Sequence, residues 1–138
     1  MPNTAAWVDT GFLVGLFARD DRYHHSATEW LCEHPEVQLH SLWPVIVEAA
    51  FFLDVPGKTA LLTWLERGAI TLHELFLADL PAIRAILEKY RDLSPDFTDA
   101  ALVALASRLG IQAIATTDLR DFSAYRLPDG TSFRRVWL

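Results

Sequence analysis

The chain has a single cysteine, Cys32, among 138 residues. No disulfide can form within it, which fits a reducing cytoplasm and excludes a disulfide-stapled scaffold. Lysine is almost as scarce, with only Lys58 and Lys89. Basic residues number 12 against 18 acidic ones, a net charge of −6. That balance excludes nucleic-acid binding driven by bulk positive charge. Long apolar runs are missing as well. Asp9 and Glu48 interrupt the longest ones, and none approaches the roughly 20 residues of a membrane span. The N-terminus lacks the basic start and apolar stretch of a secretory signal, so a cytoplasmic protein is expected. There is no repeat, no low-complexity tract and no linker-like segment. GxGxxG and P-loop patterns are absent. His24, His25, His34, His40 and His73 show no HExxH or Cys/His spacing, which argues against zinc. They read as surface groups or as supports for a site.

What is present is apolar bulk. Hydrophobic residues make up 51% of the chain and charged ones 22%. A chain of this size and composition forms an ordered domain with a substantial core, and residues 1–138 are read as one domain. The charge is uneven. From Arg108 onward five arginines face three acids, so this part carries +2 and the preceding residues −8.

Patterning predicts short buried strands alternating with helices. Residues 5–8 and 37–40, AITLHEL (69–75), IQAIATT (111–117) and SFRRVW (132–137) read as strands. Helices are expected over 10–18, 23–34, 41–53, 57–67 and 77–93. A further helix has Ser94 as N-cap, Pro95 in its first turn and Gly110 just past its end. LRDFSAYR reads as a turn or short helix. Strands alternating with helices imply a three-layer α/β/α sandwich around a mainly parallel sheet. The five tryptophans fall mostly at core positions. Cys32, on an ordinary amphipathic helix, reads as a buried thiol.

Sites in open parallel sheets form beyond the carboxyl ends of the strands. Asp9 follows the first strand and Asp118 follows IQAIATT, so one cleft can hold both. Glu48 interrupts WPVIVEAAFF, and a lone glutamate on an apolar helix face is costly to bury without a partner. Asp99 poses the same problem in TDAALVALA, with Asp96 one turn earlier. Each acid also has a plainer role: Asp9 as a strand-end cap, Asp96 at a helix start and Asp121 in a turn. Converging carboxylates repel unless a cation joins them, and Mg²⁺ or Mn²⁺ prefers oxygen ligands. The pattern points to metal-assisted hydrolysis.

Three segments carry a family resemblance: VDTGFLVGLF, WPVIVEAAFFL and YRDLSPDFTDAALVALASRLGIQAIATTDLRDF. Together they span most of the chain, and it resembles the PIN domain, most nearly the VapC-like toxins of type II toxin–antitoxin systems. The resemblance implies a Mg²⁺- or Mn²⁺-dependent endoribonuclease that leaves 5′-phosphate and 3′-hydroxyl ends. It matches Asp9, Glu48, Asp99 and Asp118 to the catalytic, metal-holding acids. It matches Asp121 to an auxiliary acid, and Thr10 and Thr117 to hydroxyls beside the first and fourth acids. Asp96 has no firm counterpart and stays an auxiliary candidate. Arg120, Arg126, Arg134 and Arg135 are candidates for RNA contact, or plain surface charge. A VapB-like antitoxin and a homodimer are inherited expectations. Two other readings remain open: a PIN-like binding or assembly module without catalysis, and a receiver-like phosphoacceptor. The receiver reading lacks the expected lysine after a late strand.

Overall fold

The computed structural model describes residues 4–138. Strand β1 (Ala5–Val8) is the spine of the sheet. Trp7 and Val8 are fully buried, as expected of a strand with neighbours on both edges and helices on both faces. β2 (Gln38–Leu42) and β4 (Ala113–Ala115) flank β1; β3 (Ile70–His73) and β5 (Arg134–Arg135) form the edges. The order is β3-β2-β1-β4-β5, and every pairing is parallel. The register sets Trp7 opposite both His40 and Ile114. All five strand tips therefore point the same way.

Helices α1 (Thr10–Phe17), α2 (His24–Glu33), α3 (Trp43–Phe51) and α4 (Val55–Glu66) form one packed group. α5 (Leu80–Lys89) packs on α6 (Phe97–Leu109), and the short α7 (Leu119–Ala124) follows β4. The result is the expected α/β/α sandwich. α6 is buried almost all round, from Ala100 to Ala106. Its four alanines let it lie close against its neighbours. Two indoles tie distant segments together. Trp7 Nε1 donates to the Ile111 carbonyl at 3.0 Å, and Trp30 Nε1 donates to the Val136 carbonyl at 2.8 Å. No helix among the described residues is long and apolar enough to cross a membrane.

The differences from the sequence reading are local. β2 runs on to Leu42, so α3 begins at Trp43, with Pro44 in its first turn as expected. α4 begins at Val55 because Asp54 caps it, accepting from Gly57 N at 2.8 Å. Ser94 is not the N-cap of α6. It closes a 3₁₀ turn over Arg91–Leu93, donating its N–H to the Arg91 carbonyl, and takes a left-handed φ of 48°. Asp96 caps instead, accepting from Asp99 N at 2.8 Å. The end signal holds: Gly110, φ 71°, closes α6. Strands β4 and β5 are shorter than the apolar runs that announced them. Cys32 is exposed, not buried, since α2 packs through Ala27 and Trp30.

Candidate functional site

β1 delivers Asp9 to the carboxyl edge of the sheet. The backbone there is pinned from both sides. Asp9 N donates to the Ala115 carbonyl at 3.1 Å, and Ser41 Oγ donates to the Val8 carbonyl at 3.0 Å. Asp9 occupies the N-cap position of α1, yet its side chain makes no capping hydrogen bond. Its Oδ2 accepts from Thr116 Oγ1 at 3.0 Å, while Oδ1 is buried without a hydrogen-bond partner. The residue is only 5% exposed. Burial pushes its carboxyl up to about 6, with Glu48 and Asp118 adding to the rise; the Thr10 amide and the Thr116 hydroxyl pull the other way.

Thr116 ties β4 into the same arrangement. Its hydroxyl also accepts from Asp118 N at 3.0 Å, the side-chain turn by which Thr organises the residue two positions on. Asp118 then caps α7, accepting from Asp121 N at 3.1 Å. Burial raises the Asp118 carboxyl, and the charges of Asp121 and Asp96 add to it against the Asp121 N–H.

Asp99 enters from the first turn of α6. Burial raises it most, and the charges of Asp9, Asp96, Asp118 and Glu48 take it to about 8. Three carboxylates lie closest: one oxygen from each of Asp99, Asp118 and Asp121 falls within 4.8 Å of the others. Glu48, half-buried on α3, bears on both Asp9 and Asp99. Five acids from β1, α3, α6 and α7 thus share one electrostatic neighbourhood.

Such crowding of carboxylates is unfavourable on its own, because like charges at short range disfavour ionisation. A hard divalent cation relieves it and prefers oxygen donors. The orphaned, buried Asp9 Oδ1 is a ready ligand atom, and the donor set is all oxygen. The residues present therefore fit Mg²⁺ or Mn²⁺.

The other candidates are placed as follows. Thr10 Oγ1 is buried without a partner. Thr117 packs over Gly11, where its Cγ2 and Cβ stand 2.8 and 2.9 Å from where a glycine-replacing Cβ would sit. Asp96 acts as the cap of α6 and adds its charge to Asp99. Arg120 is exposed and 3.9 Å from Asp121. Arg126 spends Nη1 on the carbonyls of Ser123, Ala124 and Tyr125, closing α7. Arg134 and Arg135 pair level with Ala113 and Ile114, short of the acidic edge. They line a separate cleft of about 390 Å³ with Thr4, Trp30 and Glu36. His40 and His73 stack on one another, 2.9 Å between ring nitrogens, beside Trp7.

Two residues escaped the sequence reading. Thr116, not Thr117, bonds both strand-end acids. Its signal was the Thr-x-Asp spacing, which suits a Thr turn. Tyr125, buried with an unpartnered hydroxyl, had no signal beyond its identity.

The family model for the PIN domain matches residues 6–127. The chain belongs to the PIN domain family. The match takes in Asp9, Glu48, Asp99, Asp118 and Asp121. Among solved structures, the PIN-domain chain is similar to Mycobacterium tuberculosis VapC20, described as a sarcin–ricin loop cleaving toxin. The TM-score is 0.73 at 19% identity, covering 86% of this chain and 94% of that one. At that identity the likeness is one of fold. None of the curated proteins compared with the chain matches it in sequence.

Proposed function

We propose that this PIN-domain chain, read as one domain over residues 1–138, is a Mg²⁺- or Mn²⁺-dependent endoribonuclease and the toxin of a toxin–antitoxin pair. The observation that carries the reading is the meeting of Asp9, Glu48, Asp99, Asp118 and Asp121 at the carboxyl edge of the sheet, where burial and the neighbouring acids raise the carboxyls of Asp9, Asp99 and Asp118. Family membership and the VapC20-like fold support it.

In this reading Asp9, Glu48, Asp99 and Asp118 hold the cation, and Asp121 assists. A bound divalent cation polarises a phosphoryl oxygen and lowers the pKa of water. The rigid strand ends hold the carboxylates in fixed relation, so little reorganisation is needed at the moment of reaction. Thr116 keeps Asp9 and Asp118 in register. Asp99, raised to about 8, is the acid placed to give up a proton as the cation enters.

The resemblance extends the proposal to a VapB-like antitoxin and a homodimer, acting in the cytoplasm where RNA is found. α3 exposes an apolar stripe, Trp43, Val47 and Phe51, four residues apart, with Phe51 81% exposed. A protein partner covers such a stripe.

The test is cleavage of RNA by purified protein with Mn²⁺ or Mg²⁺, with chelator, and with Asp9→Asn. Cleavage lost in both controls supports the reading. Cleavage that persists in both, or a wild-type chain that binds no divalent cation, overturns it.

A further inference from the structure

Tyr125 follows α7 directly and is wholly buried. Its ring meets those of Tyr90 and Phe122 edge-on, with centroids 5.0 and 5.1 Å apart. Phenylalanine would fill the same space. The hydroxyl is what phenylalanine lacks, and it is buried with no hydrogen-bond partner. Burying a polar group unsatisfied costs about 1–3 kcal/mol. Packing alone therefore does not account for a tyrosine here.

Among the described residues, two other buried side-chain polar atoms share that condition: Asp9 Oδ1 and Thr10 Oγ1. Both stand where β1 meets the acids. Tyr125 follows Asp121, one of the clustered acids, by a single helical turn. The charges that bear on it are, in falling order, those of Asp99, Asp121, Asp118 and Asp96. Together with burial, the leading cause, they hold it well above the usual tyrosine range, so it remains a donor.

Its position is set by the frame of the acidic cleft. Asp118 caps α7, and Tyr125 N donates to the Asp121 carbonyl at 3.0 Å. Arg126 Nη1 clamps the end of the helix. Arg126 N donates to the Tyr90 hydroxyl at 2.9 Å, fixing the ring that Tyr125 packs on. One short helix thus connects the phenol to two of the three carboxylates within 4.8 Å of each other.

We propose that Tyr125 is a positioning residue: its hydroxyl donates to the Asp99 carboxylate when a divalent cation is bound, fixing which oxygen faces the cation. This rests on the metal-site reading above. A carboxylate has more acceptor sites than one cation uses, and the spare oxygen is held by a neighbouring donor. Tyr125 acts through Asp99 and touches neither RNA nor the scissile bond.

The test compares Tyr125→Phe with the wild type in three measurements: Mn²⁺ affinity by calorimetry, thermal unfolding in chelator, and RNA cleavage. The expected result is Mn²⁺ affinity weakened about tenfold. The melting temperature in chelator should stay the same or rise, and kcat should fall while KM for RNA is unchanged. Equal Mn²⁺ affinity in the two proteins overturns the proposal and leaves the metal site standing. A wild-type chain that binds no Mn²⁺ overturns the metal site, and the proposal with it. A second measurement needs no Tyr125 variant. The chain has three tyrosines, so ¹³C-tyrosine labelling gives three ring signals, assigned with Tyr23→Phe and Tyr90→Phe. The Tyr125 signal should move along the Mg²⁺ binding curve; a Tyr125 signal that stays fixed while Mg²⁺ binds overturns the proposal.

Discussion

Thr116 Oγ1 donates to Asp9 Oδ2 at 3.0 Å, joining residues 107 positions apart. The same oxygen accepts from Asp118 N. One hydroxyl therefore sets the spacing of the two acids that end β1 and follow β4. Thr116→Val should leave a buried carboxylate oxygen and an amide unpaired, costing about 1–3 kcal/mol. Thr116→Ser should keep both bonds. Denaturant unfolding and RNA cleavage of the two variants check this. Full stability and activity in Thr116→Val would show the bridge to be incidental.

Metal-free stability should fall as pH rises from about 7.5 to about 8.5. Folded Asp99 keeps its proton up to about 8, whereas its ordinary value is 3.8. Across that window the folded chain binds more protons than the unfolded one, so raising pH favours unfolding. Asp9 contributes in the same sense at lower pH, up to about 6. His40 and His73 oppose it there, because burial lowers both from 6.5 and the unfolded chain then binds more protons. Above about pH 7.5 the unfolded histidines have lost nearly all their protons, so the fall there reports Asp99. Melting temperatures in chelator at the two pH values measure the fall, and saturating Mg²⁺ should diminish it.

Asp99→Asn should separate stability from activity. It replaces the carboxyl that burial and its neighbours most disfavour as a charge, so the metal-free protein gains on the order of 1 kcal/mol at pH 8. RNA cleavage should be lost. A variant both destabilised and fully active contradicts the assignment of Asp99.

Gly11→Ala should be costly. The new methyl would meet Thr117 Oγ1, Cγ2 and Cβ, with the two carbons at 2.8 and 2.9 Å. Overpacking of this kind costs about 1–3 kcal/mol. Adding Thr117→Ala, which leaves only the Cβ contact, should recover part of the loss in urea unfolding.

Cys32 should react with a maleimide in the native protein, since it is exposed on α2. Labelling is followed by mass spectrometry without denaturant. It should leave RNA cleavage unchanged, because no acid of the cleft lies on α2.

Much of this was legible because the anomalies were chemical. Asp9 and Glu48 interrupt apolar runs, and a carboxylate in such a run has to be explained by a partner. Strand and helix alternation was equally clear, since buried parallel strands read as short apolar blocks. Other features were set by competition between neighbours. Ser94 and Asp96 are both good caps, and the turn before α6 consumed the first. Thr116 and Thr117 are the same residue type, and only the direction of the chain after β4 decides which one faces Asp9. Cys32 is as compatible with an exposed helix face as with a buried one. The Tyr125 hydroxyl differs from a phenylalanine by one atom, and its surroundings come from segments far apart in the chain.

β1 lies at the centre of the sheet and β4 beside it, although the whole chain from α1 to α6 intervenes. Such long-range pairing closes late and slowly. A growing polypeptide emerging from the ribosome carries Asp9 long before Asp99, Asp118 and Thr116 exist. Truncated or half-synthesised copies therefore lack a complete set of acids. For a protein proposed to cut RNA in the cell that makes it, the topology works as a safety catch: the set of acids is incomplete until Asp118 and Asp121 have been added after β4.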